Sequence, residues 1–304
     1  MEIRMVGLSS IHTGEEDKPN EDAFLIMQGL GFAAVADGVT RSRLPDGSYP
    51  WKTATLAPRL LLGDLERTVQ DFTILNDPLL FLQSGFREGN QLIWSANECL
   101  GVNASLDFDK VDYLATVANA FWMPSGSSEA LVATIGDTVV LWLPNAGSPE
   151  LLSRDGLAAC HRFSYRFFQS LAVSEGIPPD EARRRRLVWQ RSIARNHSDA
   201  QSPEGEWVGF GVLTGEPEAL EFLETRKVDI SGGGKVILAS DALRACADER
   251  LGEETIHAYA AFLRAVGGVS FGDIPAAAIA CIREKEIQRS LRSDDATVVV
   301  VEIF

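Results

Sequence analysis

Cysteine, histidine and long apolar runs are all scarce in this sequence. It contains four cysteines and four histidines in 304 residues, without a Cys-x-x-Cys pair or a ligand-like histidine spacing. This excludes the usual zinc patterns and gives no sign of a disulfide framework, so we expect a reducing, cytoplasmic environment. No apolar run reaches the roughly 18 residues of a membrane helix, and the first residues lack the apolar core of a signal peptide.

Basic charge is also in short supply. Lysine and arginine number 28 against 43 acidic residues, which gives a formal net charge of -15. This balance argues against binding to DNA, RNA or an anionic membrane, and it suits carboxylates gathered around a divalent metal. The apolar fraction of 45% is enough for a full core, and we find no internal repeat or low-complexity tract.

Apolar periodicity predicts strands and paired helices in alternation. Helices are predicted at 51–70, 77–101, 252–267 and 273–291. Strands are predicted within 1–43 and at 113–123, 129–144, 149–153, 206–213, 235–240 and 296–304. This order of elements indicates one layered α/β domain.

Acidic residues border four of the predicted strands. They are Glu21, Asp22, Asp37, Asp241, Asp294 and Asp295. Taken alone, each acid is as readily explained as a cap or turn residue as by a functional role, and the dipeptide Asp37-Gly38 is a common turn. If the strands are neighbours, however, the carboxylates converge on one sheet edge, and their repulsion requires divalent cations. Oxygen ligands without histidine or cysteine favour Mg²⁺ or Mn²⁺ over zinc.

Five motifs then occur in a familiar order. They are "NEDAF", "VADGVT", "TIGDTVVLWL", "ILASDAL" and "SDDATVVVVE". In this order the chain resembles the metal-dependent serine/threonine phosphatases of the protein phosphatase 2C-like (PPM) family, bacterial type, over essentially its whole length. The resemblance implies an α+β fold, a four-layer αββα sandwich of two mostly antiparallel β-sheets flanked by helix pairs. It also implies that residues 1–304 form a single domain.

The resemblance implies a centre of two Mn²⁺ or Mg²⁺ ions. Asp37 resembles the carboxylate that bridges the ions, and Gly38 the residue whose carbonyl binds one of them. Glu21 resembles a further ligand of that ion, and Asp22 a supporting acid that acts through water. The other ion is implied to bind the two remaining acids, Asp241 and Asp294.

Other positions match the family less directly. Asp112 is placed like an acid that binds a third ion in bacterial relatives, Asp295 occupies the position beside a ligand, and Asp137 lies in a Gly-Asp turn with a structural role. Many relatives carry an arginine before the Asn-Glu-Asp run to hold the phosphate. Here the nearest base is Lys18, a point charge without a bidentate fork, for which an exposed loop lysine is the plain alternative. Val39 replaces the histidine that protonates the leaving group in eukaryotic relatives, so no leaving-group acid is identified.

The implied activity is hydrolysis of phosphoserine and phosphothreonine in proteins by a water between two ions. The expected partner is a phosphorylated protein, the substrate of a serine/threonine kinase, and we expect a monomer. A second hypothesis is a catalytically silent, phosphoprotein-binding regulator on the same fold, but a silent site has no physical reason to keep mutually repelling carboxylates. Phosphotransfer of the haloacid dehalogenase type needs an Asp-x-Asp run. Val35 and Val39 occupy the flanking positions, so we set it aside.

Arginine is concentrated in one segment, at about 154–200. Residues 154–195 contain nine arginines against four acids. One interpretation is a solvated helix face. The other is an insert similar to the family's variable flap beside the active site, whose guanidinium groups recognise a phosphorylated or acidic partner.

Overall fold

The computed structural model describes residues 1–12, 19–39, 51–73, 77–103, 113–247, 255–291 and 294–304. The α-helices are α1 (Trp51–Asp71), α2 (Pro78–Cys99), α3 (Ala158–Glu175), α4 (Pro179–Trp189), α5 (Ala260–Gly267) and α6 (Ile274–Arg289). The strands are β1 (Ile3–Ser10), β2 (Ala23–Met27), β3 (Phe32–Gly38), β4 (Thr116–Trp122), β5 (Glu129–Ile135), β6 (Val139–Pro144), β7 (Glu150–Leu151), β8 (Glu224–Asp229), β9 (Gly234–Ala239) and β10 (Ala296–Ile303). None of the helices in these ranges is long and apolar enough to cross a bilayer.

The strands form two antiparallel sheets that pack face to face. One has the order β1-β10-β9-β6-β7 and the other β2-β3-β4-β5-β8. Their inner faces share an apolar cluster to which Val35 and Phe121 contribute from one sheet and Leu238 and Val299 from the other. Strands β3, β4 and β10 are buried along nearly their whole length, which explains why they are continuous apolar runs rather than alternating ones.

Helix pairs cover the two outer faces. Leu61 and Leu65 of α1 and Phe86 of α2 belong to the core on the outside of the second sheet, while Phe262 of α5 and Ile282 of α6 belong to the core on the outside of the first. The result is the predicted four-layer αββα sandwich with antiparallel sheets. The fold prediction is therefore confirmed.

One predicted strand is not formed, and one strand of the structure was not predicted. Residues 206–213 form only isolated bridges rather than a strand. Glycines bring this segment close to its neighbours, since a Cβ at Gly209 would lie 2.1 Å from the His197 carbonyl oxygen and one at Gly211 would lie 2.4 Å from the Phe222 side chain. Strand β8 was not predicted because its sequence, "ETRKVD", is polar, as suits the half-exposed edge that it occupies.

The arginine-rich segment folds as a helical hairpin. Helices α3 and α4 are followed by a π-helical turn at Gln190–Ala194. The hairpin packs on a separate apolar cluster in which Cys160 and Phe163 meet Tyr113 and Phe210. This cluster joins the hairpin to the sandwich through Val117 of β4.

Candidate metal centre

Strand pairing places acids from distant parts of the sequence at one edge of the sandwich. The pair Ala23 and Ala36 sets Asp22 beside Asp37 in one sheet. In the other sheet, β9 ends at Ala239 opposite Val298 of β10, so the residues after β9 and before β10 lie at the same edge. Asp22, Asp37, Asp241 and Asp294 are consequently within electrostatic range of one another.

We name Asp22, Asp37 and Asp241 the acid cluster. Burial raises the pKa of Asp37 well above its usual range, and the charges of Asp22, Asp241 and Asp294 raise it further. Burial likewise raises the pKa of Asp241, with Asp137 and Asp294 as the next causes. The pKa of Asp22 is raised to about 7 by burial and by the charges of Asp295 and Asp294, against a hydrogen bond from Ser240 that lowers it. The cluster therefore brings together carboxyl groups that disfavour one another's ionised form at a partly buried edge.

The acid cluster suits a hard divalent cation. Asp22 Oδ2 is buried and has no hydrogen-bond partner among the described residues, and no lysine or arginine within those ranges forms an ion pair with any cluster member. The residues that the structure describes contain no group of three or more His, Cys, Asp or Glu side chains arranged to hold an ion. Carboxylates that repel one another are not expected to converge to coordination distance without a cation. The fit of the acid cluster to a hard cation therefore rests on the charge and the oxygen donors of its side chains, and not on a preformed coordination site.

Asp295 accepts hydrogen bonds from two segments that lie far from it in the sequence. Asp295 Oδ1 accepts from the backbone N–H of His12 at 2.9 Å and lies 3.0 Å from His12 Nδ1, and Oδ2 accepts from the backbone N–H of Glu21 at 2.8 Å. The side chains of His12 and Asp295 are both 2% exposed. Asp295 thus holds the chain on both sides of residues 13–18 and positions Glu21.

Arg283 and Glu286 of α6 hold the same loops from the helix side. Arg283 Nη1 donates to both carboxylate oxygens of Glu286, at 3.0 and 2.9 Å, and to the carbonyl oxygen of Asp294 at 2.6 Å. Its Nη2 donates to the carbonyl oxygen of Ile11 at 3.1 Å, and the backbone N–H of Asp294 donates to Glu286 Oε1 at 3.2 Å. We name His12, Arg283, Glu286 and Asp295 the anchor.

Arg244 places a positive charge near Asp241. It lies one turn after Asp241 in the 3-10 segment Asp241–Cys246, and its charge lowers the pKa of both Asp241 and Asp137. Arg244 Nε donates to the carbonyl oxygen of Asp137 at 2.6 Å, and Nη1 lies 3.3 Å from Asp155 Oδ2. The Gly-Asp turn therefore holds Arg244 through the Asp137 carbonyl, and the Asp137 carboxyl group raises the pKa of Asp241.

Strand β4 ties the two halves of the edge together. Thr116 Oγ1 donates to the carbonyl oxygen of Asp37 at 2.7 Å, next to Gly38. Asn119 crosses to the other sheet, where its Nδ2 donates to the carbonyl oxygen of Ala239 at 3.0 Å. These two bonds fix the backbone at Asp37 and just before Asp241.

The structure brings Asp22, Asp37, Asp241 and Asp294 within electrostatic range of one another, and the roles of these residues, of Glu21 and of Gly38 as ligands stay predictions. Lys18 and Asp112 lie outside the described residues, so their roles stay predictions. His12, Arg244 and Arg283 were missed. The only sequence signal for Arg244 is its spacing of three from Asp241, and nothing in the sequence pairs His12 with Asp295.

Solved structures of other proteins share this fold. The Mycobacterium tuberculosis serine/threonine phosphatase PstP/Ppp matches with a TM-score of 0.63 at 18% identity, over 99% of this chain and 99% of that chain. The catalytic domain of PstP in complex with two manganese ions matches with a TM-score of 0.62 at 17% identity, over 99% and 98%. PppA of Pseudomonas aeruginosa, described as a key regulatory component of T6SS, matches with a TM-score of 0.60 at 18% identity, over 100% and 99%.

The likeness is therefore one of fold over the whole chain. No protein-family model matches the sequence, and no curated protein sequence matches it. The chain has the architecture of the PPM phosphatases, with an acidic edge where Asp37, Asp241 and Asp294 meet.

Proposed function

We propose that this protein is a Mn²⁺- or Mg²⁺-dependent phosphatase that hydrolyses phosphoserine and phosphothreonine in proteins. The observation that carries the proposal is the acid cluster, whose charge is not neutralised by ion pairs within the described residues and which lies at the edge of a sandwich with the phosphatase fold. The further expectations from the sequence, a cytoplasmic monomer acting on the substrate of a serine/threonine kinase, belong to this proposal.

The chain's own residues divide the work. Asp37, Asp241 and Asp294 would hold the ions together with the Gly38 carbonyl and Glu21, with Asp22 as a supporting acid and Asp112 as the proposed ligand of a third ion. When bound, two hard ions supply the Lewis acidity that activates water and neutralises a phosphoryl group. Lys18 is the proposed phosphate-binding base.

The surrounding residues hold this constellation in place. Asp295 fixes the backbone of Glu21, and Arg283 fixes that of Asp294. Arg244 compensates part of the charge at Asp241 without forming an ion pair with it. These contacts preorganise the ligands so that fewer degrees of freedom are lost when ions bind.

A catalytically silent phosphoprotein-binding regulator is the alternative. Binding a phosphorylated partner requires positive charge, whereas the edge described here brings carboxyl groups together. A phosphate would approach this edge only after cations had bound. The cluster is therefore better explained by metal-dependent chemistry.

The test is turnover of an aryl phosphate and of a phosphothreonine peptide by purified protein with millimolar Mn²⁺. We expect activity that EDTA abolishes and that Asp37→Asn lacks, together with Mn²⁺ binding by calorimetry that the same substitution weakens. Absence of turnover with retained binding of the phosphopeptide would replace the proposal by the silent regulator. Absence of Mn²⁺ binding would remove the metal centre altogether.

A further inference from the structure

The α3–α4 hairpin carries a groove that the metal centre does not use. The groove has a volume of about 700 Å³. Residues that line it include Tyr165, Phe168, Val173, Pro179, Arg183 and Arg186. It lies outside the sandwich, on helices α3 and α4 of the arginine-rich segment.

The floor of the groove is apolar. Phe168, which lines it, packs on Trp189, and Phe163 packs on the same ring, with ring centroids 6.4 and 5.2 Å from that of Trp189. Above this floor, Tyr165 is 51% exposed and Val173 is 87% exposed. Apolar side chains exposed beside an aromatic floor form a surface that gains free energy when a partner's apolar side chain excludes water from it.

The four consecutive arginines of α4 fall into two pairs. Arg184 and Arg185 both donate to the carboxylate of Glu181, each at 2.8 Å. Arg183 and Arg186 face the groove instead, and neither forms an ion pair with any described residue. The chain therefore satisfies two of these charges on the helix surface and leaves two at the groove.

Arg186 is held in position for an acceptor. Its guanidinium carbon lies 3.6 Å from the centroid of the Tyr165 ring, and its Nε is buried with no hydrogen-bond partner among the described residues. A buried donor without an acceptor costs free energy, so the groove is complete only when an acceptor enters it. In a chain of net charge -15, an acidic partner is repelled by most of the surface and attracted here.

We propose that the groove docks a carboxylate-rich linear segment of a partner protein. An apolar side chain of that segment packs between Tyr165 and Val173, and carboxylates beside it bind Arg183 and Arg186. Charge-assisted pairs with a planar guanidinium give the orientation, and the apolar contact gives affinity that salt screens less. This docking goes beyond the proposed phosphatase function and does not depend on metal.

Fluorescence anisotropy with a labelled ten-residue peptide, containing glutamates on both sides of a Leu-Phe pair, tests the proposal. The measurement uses the full chain in EDTA and 150 mM salt, so that metal-dependent binding does not contribute. We expect saturable binding by the wild type and by Asp37→Asn. Arg183→Ala with Arg186→Ala should weaken it at least tenfold, and Val173→Asp should also weaken it.

The matched control is Arg184→Ala with Arg185→Ala, which removes the same charge from the same helix but not from the groove. We expect less than a twofold change, with circular dichroism showing that each variant is folded. Equal losses of affinity in the two double variants would show that net charge alone attracts the peptide, and would overturn the proposal. So would absence of wild-type binding, or tighter binding of a phosphoserine peptide without carboxylates, which would make the groove a phosphate site.

Discussion

The acid cluster and the anchor both contain carboxyl groups, but these groups have opposite surroundings. Carboxylates of the anchor accept hydrogen bonds from Arg283 and from the backbone N–H groups of His12 and Glu21. Asp22 of the cluster keeps an oxygen without a partner in the described residues, and the cluster acids raise one another's pKa.

The difference separates carboxylates that serve folding from those that await a ligand. A partnered buried carboxylate stabilises the fold, because its removal leaves donors without acceptors. A buried carboxylate among like charges destabilises the fold until a cation binds. Substitutions in the two regions should therefore change stability in opposite directions, and only one region should control catalysis directly.

The largest expected effect is on activity, from Asp37→Asn. Removing the carboxylate proposed to bridge the ions should lower kcat/KM for an aryl phosphate by about a thousand-fold or more, since metal ions supply several kcal/mol to such reactions. The same substitution should raise the free energy of unfolding of the metal-free protein, because it removes a desolvated and repelled charge. Urea denaturation in EDTA measures the second effect.

Asp199→Asn is the control for this experiment. Asp199 is exposed and lies outside both regions, so neither activity nor stability should change beyond about 0.5 kcal/mol. A metal-free Asp37→Asn protein less stable than the wild type would contradict the division, because Asp37 would then be a partnered, structural carboxylate.

Metal binding should give the next largest effect, on thermal stability. A cation at about one hundred times its dissociation constant stabilises the folded state by about 2.7 kcal/mol, which corresponds to a rise in Tm of about 5 °C for a chain of this size. Differential scanning fluorimetry with and without Mn²⁺ measures it. We expect the rise to vanish in Asp241→Asn; an equal rise in that variant would place the ion elsewhere.

In the anchor, Asp295→Ala should lower the free energy of unfolding by about 3 kcal/mol. The substitution leaves the buried backbone N–H groups of His12 and Glu21 without acceptors, at about 1–3 kcal/mol each. Asp295→Asn keeps one acceptor oxygen and should cost less. Urea denaturation in EDTA compares both variants with the wild type, and a stability gain in Asp295→Ala would assign Asp295 to the acid cluster.

Much of the fold was predictable because local patterns specify it. The apolar runs of β3, β9 and β10 lie in the centres of the sheets, and Asp77, which accepts a hydrogen bond from the Leu79 N–H at 2.8 Å, begins α2. The strand at 206–213 was predicted wrongly because apolar content does not reveal the close approaches that Gly209 and Gly211 permit.

The candidate site was predictable only in part, for a related reason. Acids at strand ends are visible in sequence, and sheet pairing brings Asp37 and Asp241 to one edge. The anchor depends on contacts between residues almost the whole chain apart, such as His12 with Asp295. No periodicity encodes such a contact, so the stabilising half of the site emerges only from the three-dimensional structure.

The smallest expected effect concerns a contact between the segment that carries Asp241 and the helix that carries Arg283. Cys246 ends the segment that begins with Asp241, and its Sγ lies 3.6 Å from Sγ of Cys281 on α6, the helix that carries Arg283. A hydrogen bond from Cys246 lowers the pKa of Cys281 to about 7, whereas burial raises the pKa of Cys160 to about 12.

Because the thiolate is the reactive form, alkylation of Cys281 by iodoacetamide should rise between about pH 6 and pH 8 and then level off. Cys160 should stay unlabelled until the protein is denatured. Peptide mapping after short labelling at each pH measures both, and Cys246→Ala should move the midpoint for Cys281 upward by removing the hydrogen-bond donor. A rate that keeps rising beyond pH 8.5, as for an ordinary thiol, or a midpoint unchanged in Cys246→Ala, would show that the segment bearing Asp241 is not held against α6 by this contact.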